Sequence, residues 1–339
     1  MLSRLNEGVQ PTNAAQHADA LADRVPQPDE VREGIWSIPL PMQQPGNPFS
    51  LCYLIADSSD SLHVIDTGYD TEENWELLAA GLAGFGRSVD EIASVFVTHL
   101  HPDHLGLSER VRAASGARIG MLRRERDAVL SVAKHGIVVT DELLAGWGVP
   151  EAHRTEMLGP LGSALVARDA PQVDRVFDAG DTLDVPGRGL TVLATPGHTA
   201  GSACIVDADA GLLYTGDTVL PRIFSGLGLG DRSVSNPIAD YLASLTSLAP
   251  YDEFEVAPGH GFRFRGLIER TAELAAHHLH RSRAAAAILA VEPDATIWEI
   301  ASRLRWTAGW ERLRGFFLFS ALAQTQLHVE FVRSGEFPG

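Results

Sequence analysis

Four side chains able to bind a metal crowd into six residues of this sequence, His99-Leu100-His101-Pro102-Asp103-His104, directly after the apolar run Ser94–Thr98. Imidazole nitrogens and carboxylate oxygens are good donors for zinc and related divalent cations. In a single helix His99, His101 and Asp103 would spread around the axis. Pro102 and the preceding strand therefore favour a tight loop at a strand end, where alternate side chains converge on one point.

Four more candidate donors each follow a short apolar run and sit near glycine. Asp66 lies in Asp66-Thr67-Gly68, His198 in Pro196-Gly197-His198, Asp217 in Gly216-Asp217 and His260 in Gly259-His260-Gly261. Glycine lets the backbone turn sharply and approach closely. Any one of these residues alone would read as a cap or a satisfied core residue. Their recurrence at strand ends together with the histidine cluster points to metal chemistry. His17, His63, His135, His153, His277, His278 and His328 lack that context and read as surface or core residues.

Residues 1–33 read as an N-terminal arm in which Pro26 and Pro28 break any helix. From Gly34 the runs Ile35–Ile38, Leu51–Ile55, Leu62–Ile65, Ser94–Thr98 and Arg118–Met121 predict strands, and Glu72–Phe85 has helical apolar spacing. Residues 122–172 interrupt this alternation. Arg123–Asp127, Asp141–Trp147 and Glu151–Val166 predict a helical insertion, and a long insertion in a compact domain often forms a lid or binding wall. Strands resume at Arg175–Phe177, Leu190–Ala194, Ala203–Val206, Leu212–Thr215 and Phe254–Ala257, with a helix over Pro237–Leu248. Beyond Gly261 only helices are expected, over Leu267–Leu289, Ile297–Leu304 and Trp310–Val332. Three segments result: the arm, a main domain over 34–264 and a C-terminal helical domain over 265–339.

The net charge of −17 argues against a polyanionic partner, because nucleic-acid binders present a basic face. The acidity is uneven: residues 261–339 hold ten arginines against eight acids. No apolar run is long enough to span a bilayer, and the first residues lack a signal-peptide pattern. Cys52 and Cys204 lie in apolar alternating segments and read as buried free thiols, which suits a cytoplasmic location.

In this order, Asp66, His99–His104, His198, Asp217 and His260 resemble the five motifs of the metallo-β-lactamase superfamily, spread over residues 34–262. The resemblance implies an α/β fold, an αββα four-layer sandwich with the site at one edge. It implies two divalent cations, zinc first, with iron or manganese suiting the same ligands. His99, His101 and His198 would bind one metal, Asp103, His104 and His260 the other, and Asp217 would bridge them. Asp66 would orient a ligand from behind. A hydroxide shared by two metals about 3.5 Å apart would attack the substrate, with Asp103 steering it and shuttling its proton.

The same resemblance narrows the activity. True β-lactamases of the superfamily carry Cys or Ser at the place of Asp217, and the di-iron flavoproteins carry Glu at the place of His101. The segments Tyr214–Leu220 and Asp240–Leu245, with His280-Arg281, are similar to a subgroup bearing a C-terminal winged-helix-type domain, which includes thioesterases and an endoribonuclease. Hydrolysis of an ester or thioester of a small acyl molecule is the leading expectation. The apolar residues Leu143, Leu144, Trp147, Leu158, Leu161 and Leu165 of the insertion and the loop Ile223–Leu229 would wall the acyl pocket. Lactonase or hydroxyacylglutathione-hydrolase-like activity is one alternative. A phosphodiesterase or endoribonuclease is another, with Arg263, Arg265, Arg270, Arg281 and Arg283 as its basic track. Trp306 and Trp310 would pack the tail's core or a homodimer interface.

Overall fold

The structure is a computed structural model that describes residues 8–42, 47–136, 139–158, 171–230, 235–306 and 308–338. Two short elements precede the main domain, β1 (Gln10–Pro11) and α1 (Ala14–Leu21). Asn13 caps α1, accepting from the Gln16 amide at 3.0 Å, so a helix forms ahead of the prolines expected to forbid one. A seven-stranded sheet then runs β2 (Asp29–Arg32), β3 (Ile35–Pro41), β4 (Phe49–Ala56), β5 (Leu62–Ile65), β6 (Ile92–Val97), β7 (Arg118–Leu122), β8 (Arg175–Phe177), in both chain and spatial order. The second sheet contains β9 (Leu190–Ala194), β10 (Ala203–Asp207), β11 (Leu212–Gly216), β12 (Glu255–Pro258) and β13 (Phe264–Arg265), closed at its far edge by β1. β2, β13 and β1 lie outside the expected strands; each is too short or too polar to carry a period-two signal.

Alternation along β4 shows how the layers form. Phe49, Leu51, Tyr53 and Ile55 face the second sheet, while Cys52 and Leu54 face the outer helices α2 (Glu72–Gly84) and α4 (Ser108–Ser115). Between β6 and α4 lies one turn of helix, α3 (Pro102–Leu105). Insertion helices α5 (Arg123–His135), α6 (Asp141–Gly146) and α7 (Glu151–Arg154) follow β7. Helix α8 (Pro237–Ser247) and the first half of α9 (Leu267–Val291) cover the second sheet. The expected αββα sandwich is therefore present, and both cysteines are buried and free.

After Arg265 come α9, α10 (Ile297–Arg303) and α11 (Gly315–Ser334), with no strand among the described residues. The tail is helical as expected, without a wing. Trp310 opens a short 3-10 turn rather than the last helix, which starts at Gly315. The insertion differs more from expectation. Leu144, Trp147, Val149 and Met157 pack against Ala301, Leu318 and Leu322 of α10 and α11, so they form a second core with the tail. Leu161 and Leu165 lie outside the described residues.

Arg263 joins the leading residues to both sheets. Only 4% exposed, it bonds Asp29 at 2.6 Å and Glu255 at 3.1 Å. Burial alone would raise both carboxyls, but the Arg263 contacts and their other hydrogen-bond partners hold them below their ordinary range. Such groups stabilise the fold above their unfolded pKa, about 4, and that stability is lost as pH falls through the depressed folded value. Arg263→Met leaves Asp29 without its cation and Glu255 with Arg32 alone, and is expected to cost about 3–5 kcal/mol in urea unfolding, with the acid-unfolding midpoint moved to higher pH.

Candidate metal centre

Each sequence-predicted donor sits just past a strand. β5 and β6 run parallel, as do β11 and β12, so their carboxyl ends share one edge of the sandwich. That edge carries Asp66, the His99–His104 segment, Asp217 and His260, and the turn after β9 adds His198. His101 is the N-cap of α3 and Pro102 its first residue, which places Asp103 and His104 in a helical turn where a loop was expected. Proline pre-sets the first helical dihedral and has no amide to leave unpaired. Gly259 permits the close approach of the last loop: a Cβ there would stand 2.6 Å from both Asp217 Oδ1 and His104 Cε1.

All seven predicted donors converge, in two groups. His101 Nδ1 lies 3.0 Å from His99 Nε2 and 3.0 Å from His198 Nε2. In the other group, His260 Nε2 lies 3.3 Å from His104 Nε2 and 3.2 Å from Asp103 Oδ2. Asp217 faces both: Oδ1 is 3.4 Å from His104 Nε2 and 3.3 Å from His260 Nε2, and Oδ2 is 3.7 Å from His198 Nε2.

The outward nitrogens fix what the inward ones can be. His198 Nδ1 meets Gly226 O at 2.7 Å, His260 Nδ1 meets Phe49 O at 2.8 Å, and His101 Nε2 meets Leu229 O at 3.1 Å. A carbonyl only accepts, so each of these nitrogens carries a hydrogen. His104 Nδ1 meets Asp66 Oδ2 at 2.7 Å. The Thr98 hydroxyl donates to Asp66 at 2.7 Å and so accepts from His99 Nδ1 at 3.1 Å. In their neutral forms all five rings therefore turn bare lone pairs inward. Three such lone pairs about 3 Å apart repel one another, whereas zinc takes imidazole nitrogens at about 2.0–2.1 Å. Asp217 Oδ1 is buried without a hydrogen-bond partner. The donor set fits a pair of divalent cations.

The electrostatics separate the groups. Burial, then the neighbouring imidazoles, push His99 well below its ordinary range and His101 down to about 3. Burial acts the same way on His104 and His260, but Asp217 and Asp103 outweigh it and raise both. The three-imidazole group is thus a neutral donor set beside a carboxylate-rich one. Asp66, behind His104, is held at φ 58° and accepts from the Thr98 amide at 2.8 Å.

Sequence reasoning missed three supports. Glu125, buried in α5, accepts from the Leu100 amide at 2.6 Å, the Thr199 hydroxyl at 2.8 Å and the Gly201 amide at 2.8 Å. It lies in the charged run Arg123–Asp127, which predicted only part of a helical insertion. Gln324 of α11 brackets Leu227, accepting from its amide at 3.1 Å and donating to its carbonyl at 2.5 Å. Arg270 of α9 donates to Leu220 O at 2.6 Å and Ile223 O at 2.7 Å. Both brace the loop after Asp217, whose Gly226 and Leu229 carbonyls hold His198 and His101.

The donors open onto a cavity of about 800 Å³ lined by Tyr69, His101, Asp103, His198, Asp217 and His260 and by apolar Pro41, Met42, Leu220, Ile223, Phe224, Leu229 and Phe316. The expected wall Ile223–Leu229 contributes Ile223, Phe224 and Leu229, while Leu227 is buried in the core. Among the described lining residues none comes from 122–172, Leu161 and Leu165 of the expected wall lying outside the described residues, and Phe316 of α11 lines the cavity. His277 supports it from behind, stacked on Phe224 at 3.9 Å.

Residues 45–260 match the metallo-beta-lactamase superfamily. The chain belongs to that superfamily. Its members are hydrolases. A hydroxyacylglutathione hydrolase of Rhizobium johnstonii is 35% identical over 124 residues, 36% of this chain; the match spans 45% of that protein, less than half its length. The acyl-coenzyme A thioesterase MBLAC2 of Bos taurus is 26% identical over 260 residues, 74% of this chain and 85% of that protein. A metallo-beta-lactamase family protein from Thermus thermophilus has a similar structure, with a TM-score of 0.74 and 26% identity, covering 91% of this chain and 95% of that one. No helix among the described residues is long and apolar enough to cross a membrane.

Replacing Asp66 by Asn sets an amide against the donors that Asp66 now accepts. Weaker zinc binding, by about 10–100-fold, is the expected outcome in a competition titration with a chromophoric chelator.

Proposed function

We propose that this chain is a binuclear metal-dependent hydrolase that cleaves an ester or thioester bond of a small acyl substrate. The observation that carries the reading is the set of five inward lone pairs and two carboxylates, with every ring's outer nitrogen already engaged, at the floor of a large, mostly apolar cavity. His99, His101 and His198 would hold one cation, Asp103, His104 and His260 the other, and Asp217 would span them. Bound there, two zinc ions would polarise the carbonyl and bring the pKa of a water down to about 7.

The chain's own groups supply the rest. Asp103 faces the cavity beside His260 and can take a proton from the attacking water and pass it to the leaving oxygen or sulfur. The wall of Leu220, Ile223, Phe224 and Phe316 excludes water and holds the acyl group. Two relatives, one named an acyl-coenzyme A thioesterase and one a hydroxyacylglutathione hydrolase, support the bond class.

The arginines favour a carbonyl substrate over a phosphodiester. Arg263 is locked between Asp29 and Glu255, Arg270 is spent on backbone carbonyls, and Arg281 lies over Trp306 at 4.3 Å. No lysine or arginine stands among the described residues lining the cavity. We divide the chain accordingly into a catalytic domain over 34–264 and a helical domain over 265–339 that supplies one wall.

Zinc-loaded protein is expected to turn over acyl thioesters and aryl esters in preference to a phosphodiester such as bis(p-nitrophenyl) phosphate; the reverse preference would overturn the assignment. Asp217→Ala is expected to lose bound metal and to reduce kcat/KM by more than about 100-fold, the upper range for losing only a supporting partner. Full metal content with a native rate would refute the bridge.

A further inference from the structure

We propose that Glu125 is a positioning residue for the three-imidazole half of the site: one buried carboxylate ties together the two chain segments that carry His99, His101 and His198. The inference rests on the metal-dependent reading above.

The connections are direct. Glu125 Oε1 accepts from the amide of Leu100, the residue between His99 and His101, at 2.6 Å. The same oxygen accepts from the hydroxyl of Thr199, the neighbour of His198, at 2.8 Å, and Oε2 accepts from the Gly201 amide at 2.8 Å. Between the two segments, Ala203 also donates its amide to Thr98 O at 3.0 Å, one residue before the first imidazole. Glycine at 201 is what lets the turn close on the carboxylate, since a Cβ there would meet the Glu125 amide nitrogen at 2.3 Å.

The chemistry of the clamp calls for a carboxylate. All three partners are donors, and an ionised carboxylate is the side chain that only accepts. Glutamine would set an N–H against one of those donors. Glu125 is fully buried, and its hydrogen-bond partners are two amides and a hydroxyl, none of them a cation. Burial pushes its carboxyl up to about 7 against the pull of these partners and of Arg124, so its ionised form is costly unless a further opposite charge answers it. The neighbouring three-imidazole set is itself neutral, so a cation bound there would favour the ionised form. Glu125 thus has two effects on the same half-site, holding the register of its loops and supplying anionic charge behind them. The other half has its own carboxylates, Asp103 and Asp217, and does not touch Glu125.

The test is zinc binding by the full chain, read as the number and affinity of sites in competition with a chelator, with the visible spectrum of cobalt-loaded protein showing which site is filled. Wild type is expected to bind two ions. Glu125→Gln is expected to weaken one of them by about 10–100-fold, the range for losing a supporting partner, with the other unchanged and the three-imidazole cobalt signature lost. Glu125→Asp should recover part of that loss. If Glu125→Gln does not fold, Thr199→Val removes one donor and keeps the carboxylate, and a smaller loss confined to the same site is expected. Two sites of native affinity in the variant that folds, or equal weakening of both, would overturn the role of Glu125 alone. A wild-type chain that binds no zinc would overturn the metal reading beneath it as well.

Discussion

Mutual repulsion among inward lone pairs is the constraint around which this molecule is built. Five imidazoles and two carboxylates meet at one edge of a sandwich, where nothing in the polypeptide can satisfy them all. The fold spends considerable structure on keeping them there. Every ring is anchored through its other nitrogen, three of them to backbone carbonyls, one to Asp66 and one to a threonine hydroxyl that Asp66 orients. Cations joining such a cluster would offset the cost of assembling it.

Much of that edge was legible in the sequence, for a local reason. The candidate donors follow strands whose apolar runs are unmistakable, and proline or glycine marks the turns. Leu62–Ile65, Arg175–Phe177 and Leu190–Ala194 were read to the residue. What could not be read depends on contacts distant along the chain. Glu125 sits in Arg123–Asp127, which looks solvated until packing buries it against residues 100 and 199. β1 and β13 are two residues each and exist because they pair with one another. The insertion's apolar face was legible as a face, but its partner was not: its described residues Leu144, Trp147 and Met157 meet α10 and α11.

The arginine-rich tail illustrates the same limit. Composition alone gives residues 261–339 a slight positive balance, and this suggested a surface for phosphates. In the fold three of the tail's ten arginines are drawn inward, while the other seven stand exposed and away from the cavity lining. Arg263 seals the junction of the two sheets, Arg270 binds the loop beyond Asp217, and Arg281 covers an indole. A guanidinium has five donors in a rigid fork and suits such internal bracing as well as anion binding. Only the count of exposed donors, which the sequence does not contain, separates the two uses.

The loop braced by Gln324 and Arg270 has an evolutionary consequence. Its backbone carbonyls steady two of the imidazoles, while its side chains and Phe316 line the opposite side of the same chamber. Drift in the tail helices can therefore reshape this chamber without altering a single donor atom. The chamber's shape and its donor set are written in different parts of the chain, and lineages with the same donors can diverge through their last helices alone.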